Sequence, residues 1–206
     1  MLPVKKSRSV APSWIVIVSA CIALASTAYS ADEWSMPNDF NLINESGVWT
    51  AGRVDFESSA NFSSFTEATE DENWRAWNMG DSDLWGNGLV WISLKDFLGS
   101  VEGELVIHPG TGADKATGIR WTVPSGFVNR SFRIKGMFRL NVNSGDRDVT
   151  IRLGEKTLFS ENGTIDDQEF DFTIKASSGD TLDFVVGSGP SWTNEAAGFS
   201  VVITAE

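Results

Sequence analysis

The chain has one cysteine, one histidine and one tyrosine among 206 residues, and these scarcities narrow its chemistry. Cys21 has no partner for an intrachain disulfide. One histidine and one cysteine fall short of the ligand sets of the common zinc sites. His108 is the sole imidazole available as a general base, so a nucleophile–base mechanism is hard to assemble. Acidic residues are missing from the first thirty positions, the first being Asp32. After the N-terminal region no stretch approaches eighteen apolar residues, so no transmembrane helix is predicted there.

The N-terminal thirty residues have the layout of a secretory signal. Lys5, Lys6 and Arg8 precede an apolar run from Trp14 to Leu24, and Ala28-Tyr29-Ser30 offers small residues for cleavage before Ala31. Val18-Ser19-Ala20-Cys21 also resembles a lipobox, which would lipidate Cys21. The apolar core runs on past the cysteine through Ile22, Ala23, Leu24 and Ala25, which favours plain cleavage. The expected organisation is a signal peptide over 1–30 and one domain over 31–206, long enough for a full core without disulfides. No low-complexity linker or repeat divides it.

Acidic residues dominate, 28 against 16 basic, for a net charge of −12. Three of the basic residues lie before Ala31 and none of the acids do, so the processed chain would carry −15. Such a surface repels nucleic acid and anionic headgroups, and suits solubility outside the cell.

Past residue 47 the sequence alternates with period two. Val149, Ile151 and Leu153 alternate with polar residues before a Gly154-Glu155-Lys156 turn. Phe170, Phe172 and Ile174 do the same, and Ser177-Ser178-Gly179-Asp180 turns the chain into Leu182, Phe184 and Val186. Further runs are Val48–Phe56, Leu105–Ile107, Ile119–Val123 ended by Pro124, Phe132–Ile134 with a bulge expected at Gly136, and Phe199–Ile203. About eight or nine short strands separated by turn residues predict an all-β, antiparallel two-sheet jelly-roll sandwich. Phe132, Ile134, Ile151, Leu153, Phe172, Ile174, Leu182, Phe184, Val201 and Ile203 should point inward, with Trp49 and Trp121 in the core. Phe65–Trp77 reads as a helical turn or a long loop, with Glu67, Glu70, Asp71 and Glu72 outside.

Several segments match a known pattern in order. They are Asp39-Phe40 through Gly47-Val48-Trp49-Thr50-Ala51-Gly52, His108-Pro109-Gly110, Arg120-Trp121-Thr122-Val123-Pro124, Gly179-Asp180 through Asp183-Phe184, and Gly198-Phe199 up to Ile203. In these the chain resembles an uncharacterised jelly-roll domain of exported bacterial proteins, often joined to PEP-CTERM sorting tails. The resemblance implies a sandwich like that of carbohydrate-binding modules and supplies no ligand. It departs at Ala51, where the family has tyrosine, and in Asn194-Glu195-Ala196-Ala197, where an aspartate is usual. The chain ends at Glu206 without the sorting tail, so that route is not expected.

Tryptophan is the conspicuous surplus: eight after Ala31, with Trp74, Trp77, Trp85 and Trp91 inside eighteen residues. Flat rings on a rigid sandwich can stack on a pyranose, with neighbouring amides and carboxylates taking hydroxyl protons. Trp74, Trp77, Trp85, Trp91 and Trp192, with Asn78 and Asn194, are therefore the expected ligand contacts, and Trp192 should be held on a turn by Gly189 and Pro190. The alternative is that these rings cap the core beneath a long loop. His108 should cap the turn at its strand end. Asp81 with Asp83, or Asp146 with Asp148, pair carboxylates that could hold calcium, although turns use the same letters. No other cofactor is expected. Acidic pairs are too common here to mark a glycosidase. The leading expectation is a non-catalytic exported module, secreted or periplasmic and open to cell-surface association, that binds carbohydrate or matrix polysaccharide. The alternatives are a self-associating surface or biofilm component and a polysaccharide-cleaving enzyme.

Overall fold

A computed structural model of the chain describes residues 33–44, 47–80, 83–111, 116–140, 146–188 and 196–206. The signal segment with Cys21, and Asp81, Trp192 and Asn194, lie outside the described residues.

Among the described residues there is no helix, and fourteen strands follow in order. They are β1 (Glu33–Met36), β2 (Trp49–Asp55), β3 (Ser58–Ser64), β4 (Glu67–Glu70), β5 (Trp74–Asn78), β6 (Leu89–Ser93) and β7 (Leu105–His108), then β8 (Ala116–Thr122), β9 (Arg130–Arg139), β10 (Arg147–Leu153), β11 (Lys156–Thr164), β12 (Gln168–Ala176), β13 (Thr181–Ser188) and β14 (Ala197–Ala205). One sheet runs β12-β9-β14-β7-β6-β5-β4, with β1 also on β14; the other runs β11-β10-β13-β8-β2-β3. Every strand pairing is antiparallel. The expected all-β, two-sheet sandwich is the fold of this chain.

The period-two positions meet in one core between the sheets. Phe132, Ile134, Ile151, Ile174, Leu182, Phe184, Val201 and Ile203 are buried there with Trp49 and Trp121, and Leu153 and Phe172 pack against them. Trp34 adds its ring to Trp121 at 5.3 Å and to Phe132 at 6.1 Å.

Three expectations are corrected. The strand count exceeds eight or nine because short pieces such as β3, β4 and β5 carry little apolar alternation. Phe65–Trp77 is neither helix nor a long loop. It holds the β4–β5 hairpin, where Asp71 Oδ1 accepts the backbone N–H groups of Asn73 and Trp74 to close the turn. Gly136 sits in an unbroken ladder with both β12 and β14, so there is no bulge. A Cβ there would lie 2.2 Å from the Ser200 carbonyl oxygen and 2.7 Å from the Phe170 ring. Glycine is needed at 136 for close approach.

Candidate functional site

Strand register gathers the loops named above at one end of the sandwich. Leu89 pairs with His108, Ala197 with Ile107, Gly198 with Arg139, and Arg147 with Ser188. The β5–β6, β7–β8, β9–β10 and β13–β14 connections therefore start and finish there. The two sheets are tied at this end. Arg53 of β2 donates from Nε to the Asn87 carbonyl at 3.1 Å and from Nη2 to the Asn87 amide oxygen. Thr111 donates its backbone N–H to the Gly86 carbonyl at 2.9 Å.

The tryptophans divide by face. Trp77 points into the main core at 1% exposure and packs on Phe40 with ring centroids 4.3 Å apart. Trp74 and Trp91 lie on the opposite face of the same sheet. There they are buried with Ala76, Leu89, Val106 and Ala196, and Leu84 and Phe97 from the flanking connections pack against them. Trp74, Trp77 and Trp91 thus form no exposed stacking surface, because both faces of β5 and β6 are covered. Trp85 is the exception at 39% exposure. Its ring stands edge-on to Trp91 at 5.9 Å and to His108 at 5.3 Å. The turn beneath it is fixed, since Asp83 Oδ1 accepts the Gly86 N–H at 2.9 Å and the Asp83 carbonyl accepts the Asn87 N–H at 3.1 Å. The platform of several rings reduces, among the described residues, to one braced ring.

Asn78 is likewise turned inward. It is buried, donates to Thr69 Oγ1 at 2.8 Å and accepts the Gly80 N–H at 2.8 Å. His108 has the structural place expected of it, with Nδ1 2.6 Å from the Pro109 carbonyl oxygen, to which it donates. Burial lowers its pKa below the ordinary imidazole value; the Pro109 carbonyl opposes this and the Arg147 charge reinforces it. What the sequence did not show was that this histidine backs Trp85. The signal lay in pairing: the His-Pro-Gly strand end faces the residue that opens β6.

Two of the four candidate calcium carboxylates have local work. Asp83 closes its turn, and Asp148 Oδ1 accepts the Gly163 N–H at 2.8 Å. Among the described residues no three acidic, histidine or cysteine side chains gather as a metal site.

Two of the resemblance motifs, Arg120-Trp121-Thr122-Val123-Pro124 and Gly179-Asp180 through Asp183-Phe184, meet away from Trp85, on the outer face of the second sheet. Asp183 is fully buried there and takes two hydrogen bonds from Arg120, whose guanidinium lies 4.1 Å from the Phe62 ring centroid. A shallow groove of ≈ 680 Å³ on the outer face of the first sheet is lined by Lys135, Met137, Glu169, Asp171, Ser200 and Val202 among others.

No protein-family model matches the chain, and no curated protein does. Solved structures similar to it include CBM51 from Clostridium perfringens GH95 in complex with methyl-galactose. That likeness has 12% identity and a TM-score of 0.39, over 68% of this chain and 94% of that one. CBM35 from Paenibacillus barcinonensis is similar at 18% identity and a TM-score of 0.34, over 58% and 90%. The enzymatically active domain of bacteriophage CBA120 tailspike protein 4 is similar at 13% identity and a TM-score of 0.38, over 81% of this chain and 20% of that one. At these values the likenesses say nothing of what this chain binds. Among the described residues no helix is long and apolar enough to cross a membrane.

Proposed function

We propose that this chain is an exported, non-catalytic module that binds carbohydrate through the loop end of the sandwich, with Trp85 as the stacking ring. The observation that carries the reading is the state of that ring. It is the exposed member of a tryptophan–histidine cluster, seated on a hydrogen-bonded turn, and is therefore rigid before any ligand arrives. A preset apolar face beside amide and carboxylate groups is what a pyranose ring requires. Asn87 flanks it from the described loop, and the β13–β14 connection starts and finishes at the same end.

One ring contributes only about 1 kcal/mol beyond area burial, so binding at a single site is weak. The ligand is a neutral glycan rather than nucleic acid, given the chain's acidity. Export follows from the signal layout, and an intact mass starting at Ala31 rather than at a lipidated Cys21 checks it.

The test is titration of soluble neutral polysaccharides followed by tryptophan fluorescence. Trp85→Ala should lower affinity about tenfold, one stacking contact and its buried area, and leave circular dichroism unchanged. Trp77→Ala serves as the contrast, costing roughly 3–5 kcal/mol of stability as a core deletion. Equal glycan affinity in wild type and Trp85→Ala would overturn the reading, as would turnover of any polysaccharide in the panel.

A further inference from the structure

The strands at the four ends of the two sheets are unequal. β4 has four residues and a glutamate at each end. β3 is irregular against β2, with a register shift between Arg53 and Asp55. β11 is broken by two register shifts against β10. Short length, irregularity and like charge are the usual means of stopping an edge from pairing. β12 differs. It runs for nine residues in unbroken register on β9, from Gln168↔Phe138 to Ala176↔Arg130, and among the described residues no strand lies on its other side.

Its sequence is also self-complementary. If two copies of Gln168–Ala176 run antiparallel about a two-fold axis through Phe172, all nine residues of each pair. Phe172 then faces Phe172, and Phe170 faces Ile174, on the side that continues the core. On the outer side Glu169 faces Lys175 twice. Among the described residues neither Glu169 nor Lys175 is in an ion pair. Asp171, the remaining charge, is already held by Arg133, Nε to Oδ1 at 2.9 Å and Nη2 to Oδ2 at 2.7 Å, and would face Thr173. Shifting the axis to Asp171 would set two aspartates opposite each other.

We propose that β12 is the interface of a two-fold homodimer, in which the eight-stranded sheets of two copies join edge to edge through Gln168–Ala176. Backbone pairing supplies the affinity of such an interface, and the side chains opposite each other fix its register. An isologous contact closes on itself, so assembly stops at the dimer. This does not depend on the carbohydrate reading, since β12 carries none of the residues assigned to the glycan site.

The experiment is a charge reversal read by sedimentation equilibrium of the purified protein. Wild type should pass from monomer to dimer as concentration rises. Lys175→Glu and Glu169→Lys should each weaken the dimer about tenfold, because two attractive cross-strand pairs become repulsive. The double variant Glu169→Lys/Lys175→Glu should restore wild-type association. Amide hydrogen exchange gives a second measurement: residues 168–176 should gain protection with concentration, while β4 and β11 should not. A wild type that remains monomeric at millimolar concentration overturns the proposal. So do single variants that dimerise as wild type does, or a double variant no better than the singles.

Discussion

Arg120 and Asp183 stand directly opposite each other in the β8–β13 ladder and join by two parallel hydrogen bonds, Nε to Oδ1 at 2.7 Å and Nη2 to Oδ2 at 2.8 Å. The Asp183 side chain is fully buried, whereas Arg120 keeps a fifth of its side-chain surface. Arg120 also donates from Nη2 to the Ser59 carbonyl at 3.1 Å, which ties β3 over the outer face of the sheet. The two residues come from the Arg-Trp-Thr-x-Pro and Gly-Asp-x-x-Asp-Phe segments. Those motif letters therefore describe a structural clamp.

Removing one partner of such a pair strands the other's charge in the interior. Arg120→Met should cost roughly 3–5 kcal/mol in urea unfolding. Arg120→Met/Asp183→Leu should cost less than the single change, because no buried carboxylate is left uncompensated. A double variant less stable than Arg120→Met would show that packing around Phe62, and not the charge, dominates.

The sandwich was legible in the sequence where strands bury one face. Phe132 and Ile134 in β9 and Phe170 and Ile174 in β12 alternate with polar neighbours, and the alternation itself assigns their direction. It failed where both faces are covered. In β6, Leu89, Val90 and Trp91 are all buried, two on one side and one on the other, so no period distinguishes a core ring from a loop ring. The sequence therefore leaves Trp91 and Trp74 open to either reading, core ring or sugar contact. The β4–β5 hairpin was obscured by its glutamates, which suit the exposed side of a helix as well as a short edge strand. The bracing of Trp85 by His108 depends on the strand pairing of Leu89 with His108, nineteen positions apart, and single-sequence periodicity does not report such pairings.

His108 gives the protein a pH dependence of known sign. Burial lowers its folded-state pKa, so the unfolded chain binds the proton more readily. Stability is then fully present above about 6.5, the ordinary imidazole value, and declines as pH falls from there toward the folded-state pKa. The slope for one group is at most about 1.4 kcal/mol per pH unit. Urea midpoints measured from pH 7.5 down to 5.5 should fall in the wild type and stay flatter in His108→Gln. Parallel profiles would mean that His108 does not govern this window.

Two glycines test how rigid the sheet packing is. Gly187 has the Phe56 ring over it, and a Cβ there would lie 2.5 Å from Phe56 Cδ2. Phe56 is only half-buried on the outer face and can move. At Gly136 the nearest atom to an added Cβ is a backbone oxygen, that of Ser200 at 2.2 Å, in a strand held by nine-residue β14. Relief there means displacing β9 from β14, next to the edge strand β12. Both residues lie in regular strands, where alanine restricts the unfolded chain and so recovers up to about 1 kcal/mol. Gly187→Ala should therefore come out near neutral, the lost Phe56 contact offsetting that gain. Gly136→Ala should cost roughly 1–3 kcal/mol as an overpacked core position. It should also weaken the concentration-dependent protection of residues 168–176, because β12 follows β9. Equal melting temperatures for the two variants would mean that the β9–β14 ladder yields as readily as the Phe56 side chain.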